Sequence, residues 1–270
     1  MKKLIALILT AVMLTFVLAS CASYKTVDKI KEAGTLTVFT EAGFAPYEFV
    51  YENEVVGVDV SIMKAVADKL GVKIEVKDVS FDTICAAVNS GKTDVGAAAI
   101  TIRADRQKQV DFSNPYSSTE QYIIVPKDND SIKTLEDLKG LKVGVQQGTT
   151  SDFLISDFIE DGTLAGCEVV GYEAPAVAAA SIDKLGAVVT DKLTAQIICS
   201  NNAALKAFKL VKTDGSDVAE IEEYGIAVAK GNETLLAVIN ETLAELMADG
   251  TIDKWVEEYT ALANSIEEAE

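Results

Sequence analysis

No histidine occurs in the chain, and only two of its 270 residues are arginine. The first absence removes the side chain most used as a general base and the commonest metal ligand. No P-loop, GxGxxG or GxSxG is present, so the glycine-rich phosphate cradles and the strained serine turn of hydrolases are excluded. Cysteine is sparse as well. Cys21, Cys85, Cys167 and Cys199 contain no CxxC pair that could start a zinc site, and the last three form no complete disulfide framework. Each of those three stands in an apolar run and reads as a buried small hydrophobe. Positive charge is short, with 24 Lys and Arg against 42 Asp and Glu and a net charge of −18. A chain this anionic repels phosphate backbones and anionic lipid, which argues against nucleic-acid binding. No catalytic residue, metal or cofactor is therefore expected, and a non-enzyme is the reading taken. Carboxylates alone can run glycosidase or dehydratase chemistry, but 42 of them make any one pair uninformative.

Lys2 and Lys3 precede an apolar stretch from Leu4 to Val17 and then Leu18-Ala19-Ser20-Cys21. Residues 1–21 thus read as a targeting segment. Their ending resembles a bacterial lipobox, in which Cys21 is lipidated and becomes the first mature residue. An uncleaved anchor or a plain secretory signal is the alternative. The apolar run is shorter than the roughly 20 residues a bilayer span needs. In each case the mature protein is expected outside the cytoplasm, held to the cell membrane through Cys21 if the lipobox reading holds.

The remaining length suits two lobes of ordinary size. After Gly34, an alternating apolar run from Leu36 to Thr40 reads as a strand. Asp59 then precedes Ile62, Met63, Val66, Ala67 and Leu70 at helical spacing, closed by Gly71. Strand-like Ile74 and Val76, a helix from Asp82 to Val88 and a small-residue strand from Asp94 to Ile100 complete a β-α-β-α-β series. The same grammar restarts after the polar break Pro126-Lys127-Asp128-Asn129-Asp130. There Thr134-Leu135-Glu136-Asp137 reads as a capped helix start. A strand from Lys142 to Gln146 runs into a helix reaching Phe158. It is followed by strand Glu168 to Gly171, helix Pro175 to Ile182, strand Ala187 to Val189 and helix Leu193 to Cys199. Tyr224 to Ala229 reads as one strand, and Glu233 to Met247 as an amphipathic helix. This pattern predicts an α/β fold of mostly parallel sheets flanked by helices.

Both arginines fall in Ile100-Thr101-Ile102-Arg103-Ala104-Asp105-Arg106, just past a small-residue strand. A guanidinium fork matches two carboxylate oxygens, which a lysine ammonium does not. The plainer reading is an exposed helix-start arginine pairing with Asp105 or Asp111. In open α/β sheets ligands sit beyond the carboxyl ends of strands, and several ends here carry suitable groups. They are Ile100-Thr101 leading to Arg106, Gln147-Gly148-Thr149-Thr150 opening a helix, Thr190-Asp191, and Glu41, Phe44 and Phe81 after two earlier strands. A helix start and an arginine suit an anion, a carboxylate suits an ammonium, and two aromatics suit an apolar or planar side chain. Together they complement an α-amino acid.

Over about Lys29 to Tyr259 the chain resembles the solute-binding proteins of the polar amino-acid ABC-transporter family. The likeness is carried by Thr40-Glu41-Ala42-Gly43-Phe44-Ala45-Pro46-Tyr47-Glu48-Phe49, Val56-Gly57-Val58-Asp59-Val60, Ile100-Thr101 with Arg106, Val110-Asp111-Phe112-Ser113-Asn114-Pro115-Tyr116, Val143-Gly144-Val145-Gln146-Gln147-Gly148-Thr149-Thr150, Val189-Thr190-Asp191-Lys192 and Tyr224-Gly225-Ile226-Ala227-Val228. The resemblance implies a two-lobed, periplasmic-binding-protein-like fold of type II. Residues 30–123 and 225–261 would form one lobe and 124–224 the other, with hinges near 122–126 and 221–225. It further implies that Arg106 clamps a ligand α-carboxylate with Thr101 and the Thr150 N–H. Asp191 would hold the α-ammonium beside the Ala99 carbonyl. Phe44 and Phe81 would line the side-chain pocket from one lobe and Gln146 and Thr149 from the other, with Ala98 and Ala99 leaving only backbone groups where relatives often have serines.

The implied partners are a free L-amino acid and a membrane permease of an ABC importer, and a monomer is expected. Against these roles, Asp191, Thr149 and Thr150 could serve as plain helix caps, and Phe44 and Phe81 as core. If Arg106 and Asp191 neutralise the zwitterion, Glu41 is left unpaired and must find a cation, shift its pKa or stay wet. A cationic side chain such as arginine, stacked between Phe44 and Phe81, answers that need. Glutamine or cystine is the neutral alternative. A dehydratase or a sensor ectodomain on the same architecture is the rival class.

Overall fold

The computed structural model describes residues 24–266, so the expected leader and Cys21 lie outside the described residues. Helix α1 (Val27–Ala33) leads into β1 (Thr35–Thr40), whose Leu36 and Val38 are fully buried. Three short strands, β2 (Gly43–Phe44), β3 (Glu48–Tyr51) and β4 (Glu54–Val56), form an antiparallel meander. Next come α2 (Val58–Leu70), β5 (Lys73–Asp78), a 3₁₀ turn at Phe81–Thr83 running into α3 (Ile84–Asn89), β6 (Val95–Gly96), β7 (Val110–Phe112) and β8 (Ser117–Thr119). In α2 the expected apolar stripe of Ile62, Met63, Val66, Ala67 and Leu70 is buried, and the helix stops at Gly71. Its start depends on Gly57, whose φ of +136° is open to glycine and whose added Cβ would collide with the Tyr47 carbonyl.

The chain continues through β9 (Gln121–Pro126), β10 (Lys142–Gln146), α4 (Thr150–Glu160), β11 (Glu168–Tyr172), α5 (Pro175–Ala180), β12 (Ala187–Asp191), α6 (Lys192–Asn201) and β13 (Leu205–Lys209). It ends with β14 (Glu222–Tyr224), β15 (Ala227–Ala229), α7 (Glu233–Ala248) and α8 (Thr251–Asn264). Two five-stranded sheets result, ordered β5-β1-β6-β15-β7 and β11-β10-β12-β9-β13. In the first, β15 runs antiparallel to β6 and β7 while β1 is parallel to β5 and β6. In the second, β9 is antiparallel to β12 and β13 while β10 is parallel to β11 and β12. Each sheet thus carries four strands in one direction and one against it. The reversed strand is in each case the one that has just arrived from the other sheet. Both faces of each sheet carry apolar clusters: Ile62 and Met63 oppose Ile84 and Val88 across the first, and Val143 and Ile155 oppose Ile124 and Ala178 across the second.

Several sequence expectations need correction. Residues 122–126 are no crossover but part of β9, an interior strand of the second sheet paired with β12 on one edge and β13 on the other. The strands that connect the two sheets are β8 and β14, paired antiparallel as Ser117↔Tyr224, Ser118↔Glu223 and Thr119↔Glu222. The second sheet therefore begins at Gln121, ahead of the polar break at 126–130. Tyr224 to Ala229 is two strands, because Gly225 and Ile226 turn the chain out of the β8 pair and into the first sheet. The strand expected from Asp94 to Ile100 shrinks to Val95–Gly96, and the capped segment after Thr134 is a 3₁₀ turn, Leu135–Leu138, with its capping box formed. Cys167 is buried, whereas Cys85 and Cys199 are only half-buried, each packed against the edge of an apolar cluster; all three are free thiols.

Candidate functional site

The carboxyl ends of β1, β6, β10 and β12 point toward one another across the gap between the sheets. There they line a tight cavity with room, in this arrangement, for about one water molecule. Phe44, Phe81, Ala98, Ala99, Thr101 and Arg106 line it from the first half. Gln146, Thr149, Thr150 and Asp191 line it from the second. The cavity thus gathers ten of the eleven residues singled out from sequence. Glu41 does not line it, Thr190 joins Asp191 from the strand end already noted, and Ser151 was not foreseen.

Arg106 is buried rather than an exposed surface arginine. Its Nη1 donates to the Thr101 carbonyl at 2.9 Å and its Nη2 crosses to the Gly148 carbonyl at 3.0 Å, while the guanidinium lies 5.2 Å from the Phe81 ring. The proposed ion-pair partners are engaged elsewhere: Asp105 with Arg103, and Asp111 with Lys230. Burial lowers the Arg106 pKa from its ordinary value, yet guanidinium stays charged at any physiological pH. A fixed, desolvated cation with an open donor edge suits a carboxylate. Gly148 reaches Arg106 through a left-handed turn of φ +73°, and a Cβ there would press on Asp82 Cβ at 2.8 Å. The first turn of α4 follows at once. Thr149 is its cap, the hydroxyl accepting from the Asp152 N–H at 3.3 Å, and Thr150 begins the helix beside the cavity. Free N–H groups at that start add to the anion-binding potential.

Asp191, at the end of β12, does not cap α6 with its side chain. Its carboxylate is held instead by the Tyr224 hydroxyl and by Gln121 Nε2 at 2.8 Å. Burial raises the Asp191 pKa above the usual carboxylate range, helped by the neighbouring negative charge of Glu222 and opposed by Arg106. Gln121 also donates to Glu222 Oε1 at 2.7 Å and accepts from the Ser151 hydroxyl at 2.7 Å. Glu222 Oε2 in turn accepts from the Thr101 hydroxyl at 2.9 Å. A buried hydrogen-bonded chain therefore runs from the first half through the crossover strand to the second. Sequence reading missed Gln121, Glu222 and Tyr224 as supports of the site. Tyr224 stood in a quoted motif, but nothing in the spacing aims Gln121 or Glu222 at Asp191.

Glu41, expected to be left unpaired, has a partner. Its Oε2 accepts from Gln146 Nε2 at 2.7 Å, and the same amide also donates to the Glu173 carbonyl at 2.8 Å. Burial, the largest cause, raises the Glu41 pKa to about 7 despite the Gln146 hydrogen bond. Phe81 lines the cavity with Arg106 over one face of its ring. The cavity offers one cation, one carboxylate, two aromatic rings and a belt of hydroxyls and backbone groups. That set can hold both charged ends of a small zwitterion at once.

The model described as bacterial extracellular solute-binding proteins, family 3, matches residues 36–261. Among curated relatives, the L-cystine-binding protein TcyJ of Escherichia coli is 31% identical over 237 residues, covering 84% of this chain and 85% of that protein. The arginine-binding extracellular protein ArtP of Bacillus subtilis is 31% identical over 264 residues, covering 94% of this chain and 96% of that protein. Among solved structures, an ancestral arginine-binding protein bound to arginine aligns with a TM-score of 0.74 at 46% identity, over 84% of this chain and 98% of that one.

Proposed function

Because the chain belongs to the bacterial extracellular solute-binding proteins, family 3, we propose that it captures a free L-amino acid outside the cytoplasm in the cavity between its sheets and delivers it to an ABC importer. The observation that carries this reading is that Arg106 and Asp191, from opposite halves, line the same cavity between the sheets. Arg106 and the start of α4 receive the α-carboxylate, and Asp191 with the Ala99 carbonyl receives the α-ammonium. Bridging both halves, the ligand stabilises the closed arrangement over one hinged open at β8 and β14. Calorimetric titration with the twenty standard L-amino acids and L-cystine tests it. Tight binding of at least one, abolished by Arg106→Ala, is the expected result; no binding of any would overturn it.

The side-chain class turns on Glu41. An arginine ligand would take the Glu41 carboxylate over from Gln146, whereas glutamine or cystine would leave the Gln146 contact intact. The arginine-binding relatives support the first and the cystine-binding relative the second. Glu41→Gln separates them, because it weakens arginine far more than glutamine only if Glu41 meets the ligand cation.

A binding role is favoured over a dehydratase because that chemistry needs an acid poised over the substrate, and Glu41, the acid nearest to that role, is hydrogen-bonded to Gln146 and does not line the cavity. Incubation with prephenate-like acids and a search for product checks this. Lipid anchoring rests on Leu18-Ala19-Ser20-Cys21. Membrane fractionation of the Cys21→Ser protein tests it, and light scattering of the purified protein tests the monomer.

A further inference from the structure

Ala99 forms part of the cavity wall and is a non-glycine residue with a left-handed backbone, φ +44°. L-residues with a Cβ rarely adopt that conformation, and it persists only where the surroundings impose it. The chain path explains why a corner is needed. The Ala97 N–H donates to the Phe39 carbonyl at 3.0 Å, continuing the pairing of β6 with β1. Three residues later the Ile100 carbonyl accepts from the Gly225 N–H at 3.0 Å, and the Ile102 N–H donates to the Glu223 carbonyl at 2.9 Å. Between Ala97 and Ile100 the strand therefore leaves one neighbour and joins another. At the corner the Ala99 N–H is turned away from both.

That N–H donates to Asp59 Oδ2 at 2.9 Å. Asp59 stands in the first turn of α2, is fully buried, and is pinned from its other oxygen by the Tyr116 hydroxyl at 2.6 Å. Burial raises the Asp59 pKa to about 7, while the Tyr116 hydroxyl and the Ala99 N–H favour its charged, doubly accepting form. Glu48 is the other acidic group packed nearby, and neither of its carboxylate oxygens has a hydrogen-bond partner among the described residues. Tyr116 packs in turn on Tyr224, with ring centroids 6.4 Å apart, and Tyr224 donates to Asp191. One buried cluster thus reaches the ammonium side of the cavity twice, at the Ala99 corner and at Asp191.

We propose that Asp59 is a positioning residue of the amino-acid site: by accepting the Ala99 N–H it holds Ala99 left-handed and so fixes the cavity wall that faces the ligand α-ammonium. The inference rests on the amino-acid-binding reading above. Asp59 touches no ligand and acts through Ala99. Glycine takes a positive φ without the Cβ penalty, so a glycine at position 99 should no longer need Asp59 to hold it.

The test is a double-mutant cycle read by calorimetry with whichever L-amino acid of the panel binds the parent protein most tightly. Asp59→Leu, which keeps bulk and removes both acceptors, should weaken binding about tenfold, as expected when a buried donor loses a charged acceptor. Asp59→Asn can turn its carbonyl to Ala99 while its amide donates to the Tyr116 oxygen, and should stay within about threefold of the parent. Ala99→Gly alone gives the reference for the cycle, and relative to it the Asp59→Leu/Ala99→Gly double variant should lose far less affinity than Asp59→Leu loses relative to the parent. A purely structural role for Asp59 would lower the melting temperature with no rescue of affinity by glycine, and that result overturns the proposal.

Should Asp59→Leu not fold, the unaltered ligand-free protein decides. A scalar coupling across the hydrogen bond between the Ala99 nitrogen and the Asp59 side-chain carbon is expected, and its absence overturns the proposal. If the parent protein binds no amino acid of the panel, the reading of the cavity itself fails. If the parent binds and the cycle shows no rescue, only the role of Asp59 does.

Discussion

Gln146 donates its side-chain amide to Glu41 at 2.7 Å, joining the end of β10 in one sheet to the end of β1 in the other. The contact gives a buried carboxylate one good donor and no counter-charge. Burial therefore dominates, and the Glu41 pKa rises to about 7.

The pH dependence follows from the sign of that shift. A carboxyl whose pKa is raised from 4.5 to about 7 keeps a proton in the folded protein that the unfolded chain has already released. Its contribution, of order 3 kcal/mol at most, is fully present below about pH 4.5, shrinks as pH rises, and is gone above about pH 7. Glu41→Gln, which mimics the protonated form, should leave the melting temperature nearly unchanged at pH 5 and raise it at pH 8. A lower melting temperature for the variant at pH 8 would show that the carboxylate is stabilised in its charged form.

Arg106→Lys keeps a positive charge but loses the fork that spans the Thr101 and Gly148 carbonyls while facing the cavity. Its amino-acid affinity should fall by about 100-fold, because a single ammonium cannot hold both carbonyls and a ligand carboxylate. Titration calorimetry checks this. A lysine variant within threefold of the parent would mean that Arg106 supplies charge alone.

Tyr224→Phe removes a hydrogen bond that favours the ionised form of Asp191. The Asp191 pKa, already raised by burial, should climb further. Ammonium binding needs the carboxylate, so the acid pH at which ligand affinity is lost should move upward in the variant. Affinity near pH 8 should drop only about three- to tenfold, the cost of one hydrogen bond to a charged group. A pH profile parallel to that of the parent would place the Tyr224 contribution in packing.

Gly57→Ala is expected to destabilise the fold by more than about 3 kcal/mol, because it combines a conformation open to glycine with a backbone collision against the Tyr47 carbonyl that no side chain can relieve. Chemical denaturation measures the change. A loss under about 1 kcal/mol would show that the Tyr47 carbonyl and the start of α2 can move apart.

Much of the molecule was legible in the sequence. The stripe Ile62, Met63, Val66, Ala67, Leu70 specified α2 because one face of a 3.6-residue repeat must find apolar contact. Alternation at Leu36 and Val38 specified β1, and the Gln147-Gly148-Thr149-Thr150 run specified a helix start at a strand end. The scarcity of arginine drew the eye to Arg106. These are local signals, readable wherever burial or capping repeats along the chain.

Tertiary structure decided what local pattern could not carry. No periodicity tells that β8 and β14, more than 100 residues apart, pair with each other and connect the sheets, since pairing depends on which edges meet. The partners of Asp191 are Gln121 and Tyr224, and the acid of β1 meets the amide of β10. Such choices are made only when two separately built sheets close on a common gap. Composition and spacing set what each half is made of and which chemistry its strand ends present. Long-range packing set which of those groups are desolvated, which are already paired, and which are left free to take hold of a ligand.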